Sequence, residues 1–257
     1  MSIGVRYITD PACEASWSVE PALRTLSMEF AADIDFTYVM AGLHRELEEA
    51  DHRDRMVEWL RAAAETAMPI DPLLWVEGPL KSTYPVCMAV KAATEQGGAE
   101  RFLRSAREGL LCFRRKLDTT EALVEEARRA GLDVERFRVD LGSHAIVELL
   151  GTDLEEARAV PGLELPALRF GDGPWLLGPQ PYAAYREAAI QAGARANDER
   201  PPSVQDALAR FGPLATAEVE AVCDLPGPRA HAELWALAAE WRAKPRRVLT
   251  GWLWEPA

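Results

Sequence analysis

The first forty or so residues constrain this chain more than any other stretch. Ile34, Phe36, Tyr38 and Met40 alternate with Asp35 and Thr37, the period of a strand with one buried face. The apolar run from Ile3 to Ile8 reads as another strand. Between the two, Val19, Leu23, Leu26 and Phe30 recur at helical spacing on one face. Strand, helix and strand in this order predict a βαβ unit, with a crossover helix packed on a sheet. Cys13, in DPACEASW, stands where the first strand gives way to the helix.

From Leu43 to about Val160 nearly every segment carries helical periodicity. HRELEEADHRDRMVEWLRAAAET (44–66) predicts a charged amphipathic helix burying Met56, Leu60 and Ala63, and the Pro-rich MPIDPLLWVEGP predicts a loop. A helix is expected to open at Ser82 or Thr83, with Pro85 tolerated in its first turn. Phe102, Ala106 and Leu110 form the stripe of another. Asp118 with Glu121 predicts a capping box, Gly131 a C-cap, and Thr152 with Glu155 a last short start.

After Pro161 the pattern changes to a β-hairpin and a helix: LELPALRF, the turn GDG, the strand PWLLG and then PYAAYREAAIQAG. ARANDERPPS is polar and Pro-containing and is expected to be a linker. The fold class expected is therefore α/β, with a βαβ half (3–40), a helical insertion (43–160) and a ββα half (161–195). These units lie within a domain over 1–198, and a small, mostly helical domain is expected over 203–257.

Composition removes several function classes. A net charge of −12 disfavours nucleic acid, whose binding rests on Lys and Arg displacing counterions. No 18-residue apolar run exists, and MSIGVRYITD lacks the basic start and long apolar stretch of a secretory signal, so no membrane partner and a cytoplasmic location are expected. Cys13, Cys87, Cys112 and Cys223 are too scattered for the disulfide framework of a small secreted domain, and reduced thiols are the default. His44, His52, His144 and His231 show no metal-ligand spacing, and no metal is expected.

Asp10, Pro11, Cys13, Ser16 and Trp17 match a motif of the form D-P-x-C-x-x-C-W in all but its second cysteine. Pro21 falls where thioredoxins kink their first helix, and Pro166, preceded by Leu165, stands where a later hairpin begins. With the order of elements and the run STYPVCMAVKAATEQGGAERFLRSAREGLL, residues 1 to 198 resemble the DsbA-like branch of the thioredoxin superfamily. The resemblance is closest to its cytoplasmic members. It implies a thioredoxin-like fold, a cis peptide before Pro166, and a substrate-binding role for Pro166, Leu165 and Trp17 beside a nucleophilic Cys13.

Ser16 stands where a dithiol member has its second cysteine, so a mixed disulfide on Cys13 must wait for an external thiol. The expected chemistry is that of a monothiol oxidoreductase acting on small-thiol or protein mixed disulfides. Cys13 would be the nucleophile, Ser16 a hydrogen-bond donor to its thiolate, and a low-molecular-weight thiol the co-substrate, with no resident cofactor. Glu14 and Glu20 disfavour the thiolate, and no basic residue adjoins them in sequence. Cys87 could resolve Cys13 if the insertion folds over it, or be a buried apolar residue; Cys13 itself could be buried and inert, and Trp17 could be core.

Two other functions stay open. One is a non-catalytic adaptor, since a related branch of the superfamily delivers a transcription regulator to a protease; its signature is a buried Cys13 beside an exposed apolar groove or Trp patch. The other is glutathione-dependent isomerase or transferase chemistry with Ser16 activating the cofactor thiol. Residues 203–257 read as helix, turn, helix, helix and wing, with six Lys and Arg against seven Asp and Glu. The helix placed to enter a DNA groove, AHAELWALAAEW, has no Arg or Lys and carries Glu233 and Glu240. Trp235, Trp241, Trp252 and Trp254 are expected to build a small core or, where exposed, to bind a protein. The residues leave the oligomeric state open.

Overall fold

A computed structural model describes residues 2–197 and 199–257, so the domain boundary expected at 198 lies outside the described residues. Strands β1 (Ile3–Thr9) and β2 (Ile34–Met40) run parallel, Ile3 opposite Ile34 and Thr9 opposite Met40. The crossover is broken in two: α1 (Glu14–Ser18) and α2 (Glu20–Glu29). Pro21 causes the break, because its nitrogen has no hydrogen to donate to Trp17 and its ring crowds the carbonyl four residues back. Val19, Leu23, Leu26 and Phe30 all face the core, as their spacing predicts.

Strands β3 (Ala167–Phe170) and β4 (Leu176–Leu177) complete a sheet of order β2-β1-β3-β4, antiparallel from β1 onward. Helix α10 (Tyr182–Gln191) follows. A βαβ half and a ββα half in one sheet are the thioredoxin-like fold expected from the sequence.

Between the halves lie α3 (His52–Thr66), α4 (Leu74–Glu77), α5 (Tyr84–Thr94), α6 (Ala99–Arg107), α7 (Thr120–Arg129), α8 (Val134–Leu141) and α9 (His144–Arg158). They enclose a core that includes Trp59, Trp75, Phe102 and Phe137. The helix expected over 44–66 starts only at His52, after one 3-10 turn, because residues 43–47 are held as a loop. Leu43 N–H donates to Asp10, and Leu47 N–H donates to the Lys81 carbonyl. Of the residues expected on its buried face Ala63 is buried, whereas Met56 is half-buried and Leu60 exposed; Trp59 shares the face with Ala63.

Helix α5 has Pro85 in its first turn, and Ser82 Oγ accepts from Tyr84 N–H at 3.1 Å. Helix α7 is capped by Thr119, one residue after the expected Asp118. Thr152 starts nothing: α9 begins at its cap Ser143 and runs through Thr152, whose hydroxyl bonds back to the Glu148 carbonyl.

The C-terminal segment comprises α11 (Val204–Phe211), β5 (Leu214–Ala215), α12 (Thr216–Val222), α13 (Gly227–Ala239), β6 (Ala243–Val248) and β7 (Gly251–Pro256), with sheet order β5-β7-β6. Leu208, Leu214, Val219, Leu234 and Trp254 form its core, joined by Met28 from the far side of α2. Helix α2 is thus packed on both faces. Asn197 ties the connecting segment down, its amide donating to the Met28 carbonyl at 2.7 Å.

Candidate functional site

Asp10 closes β1 and is fully buried. Its carboxylate accepts four donors from three stretches of chain: Ala12 N–H at 2.9 Å, Leu43 N–H at 2.8 Å, Thr83 Oγ1 at 2.8 Å and the Cys87 thiol at 3.4 Å. A buried carboxylate is tolerated only when its lone pairs are met in this way. Thr83, expected as a cap of α5, therefore spends its hydroxyl on Asp10.

That anchor delivers Cys13 to the N-cap of α1, in extended conformation, with Ser16 N–H directed at its sulfur at 3.4 Å. The placement matches the expectation, but the environment does not activate the thiol. Cys13 is only 4% exposed, and its pKa is pushed up to about 12, first by burial and then by the Glu14 carboxylate. Ser16 softens this shift without cancelling it. Its hydroxyl, expected to donate to the sulfur, is buried and has no hydrogen bond of acceptable geometry among the described residues; the backbone N–H makes the contact instead. Helix α1 is little more than one turn, so few peptide dipoles align behind the sulfur.

Trp17, for which a substrate-binding role and a place in the core both stood open, is fully buried. Its Nε1 donates to the Pro69 carbonyl at 3.1 Å, and the Arg104 guanidinium lies 4.6 Å from its ring centre. Its surface is used up by the core, not offered to a substrate. The Leu165–Pro166 peptide is cis, at the end of β3 that adjoins Ile8 and therefore the Cys13 end of β1. Pro166 is buried, while Leu165 is half-buried against Ile8, Val39 and Ala167. Cys87 is buried too, its thiol committed to Asp10 and its pKa raised well above the usual range by burial. As a resolving thiol it would have to break that bond.

Local sequence could not reveal the basic residues that the fold brings here. Arg104 and Arg107, one turn apart on α6, project from the insertion toward α1 and α2. Arg107 is 1% exposed, bonds Glu20, Thr9 and, at 3.1 Å, Tyr7 Oη, and lies within electrostatic reach of Cys13. Its charge is spent on Glu20, so it does not offset Glu14. Arg104 donates twice to the buried Glu218 of α12, at 2.6 and 2.8 Å, and also reaches Glu20 at 3.2 Å. Glu218 also accepts from Ala215 N–H at 2.7 Å. The only trace in the sequence was the i, i+3 spacing of two arginines beside the apolar stripe of Phe102 and Ala106.

The C-terminal tryptophans divide. Trp254 is buried with Nε1 donating to Thr216 Oγ1 at 2.9 Å, whereas Trp235 is 40% and Trp241 87% exposed.

Most of the chain has counterparts among known proteins. A relative from Halalkalibacterium halodurans, named ClpXP adapter protein SpxH, is 29% identical over 88% of this chain and 79% of its own. A protein of the same name from Bacillus subtilis is 26% identical over 98% of this chain and 88% of its own. A solved structure from Nitrosomonas europaea, described as a candidate protein disulfide isomerase, superposes with a TM-score of 0.67 at 19% identity, over 74% of this chain and 97% of its own. At that identity the likeness is one of fold. The sequence model of the family described as Thioredoxin matches residues 7–172, well over half of the chain. Together with the DsbA-like arrangement of βαβ, helical insertion and ββα, this match establishes that the chain belongs to the thioredoxin family.

Proposed function

We propose that this chain is a thioredoxin-fold adaptor that delivers a protein client to an ATP-dependent protease of the ClpXP type, and that it does not work by thiol chemistry. The observation that carries the proposal is the state of Cys13: buried, with a thiol pushed up to about 12 and no second thiol at Ser16. A nucleophilic cysteine needs an accessible sulfur and a depressed pKa. The names of the two relatives, which match 88% and 98% of the chain, support the same reading. So do Trp235 and Trp241, which expose large apolar surface at the C-terminal end. The monothiol oxidoreductase reading, with its small-thiol co-substrate and substrate contacts at Leu165 and Pro166, loses support because its nucleophile is closed off. Isomerase or transferase chemistry loses support for a related reason, since the Ser16 hydroxyl is enclosed with the sulfur.

The test pairs two assays on the purified chain. In the first, ClpX and ClpP degrade the transcription regulator that such adaptors deliver, with wild type, with Cys13→Ser, or with neither added. The expected result is equal acceleration by the two proteins. In the second, reduction of insulin and of a glutathione mixed disulfide should run no faster than the uncatalysed rate. Cys13-dependent reduction without accelerated degradation would overturn the proposal.

A further inference from the structure

Where the insertion meets the C-terminal segment, α2, α6, α7 and α11 border a cleft of about 640 Å³. Its lining holds five arginines against two glutamates, in a chain whose net charge is −12. Arg24 and Arg104 form the floor, both buried. Arg24 pairs with Glu100 at 3.2 Å and Arg104 with Glu108 at 2.7 Å, so both glutamates are already engaged. Arg24 lies 3.6 Å from both Glu20 and Glu218, and Arg104 is bound to the same two carboxylates, so the floor is neutralised from behind and the available positive charge is that of the rim. The rim carries Arg101, Arg129 and Arg210, all exposed. Arg101 has no carboxylate within 4 Å among the described residues, Arg129 only an exposed contact with Glu125 at 3.6 Å, and Arg210 an exposed pair with Glu199 at 3.2 Å. Exposed pairs of this kind exchange at little cost.

Building on the adaptor reading, we infer that this cleft binds an acidic peptide segment of the protein partner. Its rim cations come from three different helices, α6, α7 and α11. Distributed single charges match carboxylates spaced along a chain, whereas a compact phosphate calls for converging donors or a nest of backbone N–H groups. Phe211 lines the same cleft half-buried, with the Arg24 and Arg210 guanidiniums 5.6 and 5.4 Å from its ring centre. It provides an apolar step for a side chain between two carboxylates.

The experiment measures fluorescence anisotropy of labelled 12-residue peptides, graded from zero to five Glu at constant apolar content, with the full chain. Affinity should rise with the Glu count and fall steeply with salt. It should drop at least tenfold in the triple variant Arg101→Glu, Arg129→Glu, Arg210→Glu, whose positions are all exposed. Arg61→Glu, an exposed reversal elsewhere, should change nothing. Unlabelled tripolyphosphate should displace the peptide only at concentrations where it acts as salt. Absence of Glu-dependent binding, equal binding by the triple variant, or tight displacement by tripolyphosphate would each overturn the inference. The assay contains neither ClpX nor ClpP, so its failure is separate from failure of delivery.

Discussion

Alkylation of Cys13 gives the sharpest test of the closed thiol. With its pKa pushed up to about 12, the fraction ionised at pH 7.5 is roughly 3 in 100,000, against roughly a tenth for an unperturbed cysteine near 8.5. Alkylation proceeds through the thiolate, so the folded chain should label at Cys13 roughly 3,000 times more slowly than the same residue in guanidinium. Enclosure of the sulfur, 4% exposed, slows it further. Iodoacetamide labelling from pH 6 to 10, quenched and read by peptide mass spectrometry, separates Cys13 from Cys87, Cys112 and Cys223. The folded rate should still be climbing at pH 10. A plateau below pH 8.5, or a rate within tenfold of the unfolded control, would mean that burial and Glu14 do not control the sulfur.

Other perturbations follow from the buried polar contacts. Glu218→Ala removes a bidentate acceptor from Arg104 and the cap of Ala215 N–H, and should cost about 3–5 kcal/mol in urea unfolding. Thr83→Val leaves Asp10 with one donor fewer and should cost about 1–3 kcal/mol by the same measurement. Glu20 has its pKa lowered because its three arginine partners outweigh its burial. Its contribution is therefore present above the ordinary carboxylate value and lost as pH falls through the lowered one; Glu20→Gln, less stable at pH 7, should show a shallower loss of Tm between pH 5 and 3. All four thiols are raised by burial. The unfolded chain ionises them first, so stability should fall as pH rises above roughly 8.5, and Cys87→Ser should flatten that alkaline limb in thermal melts.

The framework was readable because its signals are local. The alternation from Ile34 to Met40 and the spacing from Val19 to Phe30 are what one-sided burial requires, and both elements form where the residues predict. Pro21 announced the broken crossover for a reason inherent in its ring. Boundaries failed where a distant group intervened: nothing between 44 and 51 shows that Asp10, more than thirty residues earlier, claims the Leu43 amide. The site was legible in position and not in character. Cys13 at a helix start follows from its neighbours, whereas its burial does not: Ala12 and Trp17 on either side belong to a core shared with Met68, Ile70, Leu74 and Phe102, which arrive from up to ninety residues away. Arg107 shows the limit most plainly. Sequence offered Cys13 no basic neighbour; the fold brings one close and spends it on Glu20.

Asp10 has a consequence that reaches past stability. Its carboxylate joins the end of β1, the loop before α3 and the first turn of α5 through contacts that do not involve the Cys13 sulfur. The contour of this face is thus held in place independently of any electron transfer at position 13. The shape of this face does not depend on the oxidation state of Cys13, and Cys13→Ser should leave that contour as it is.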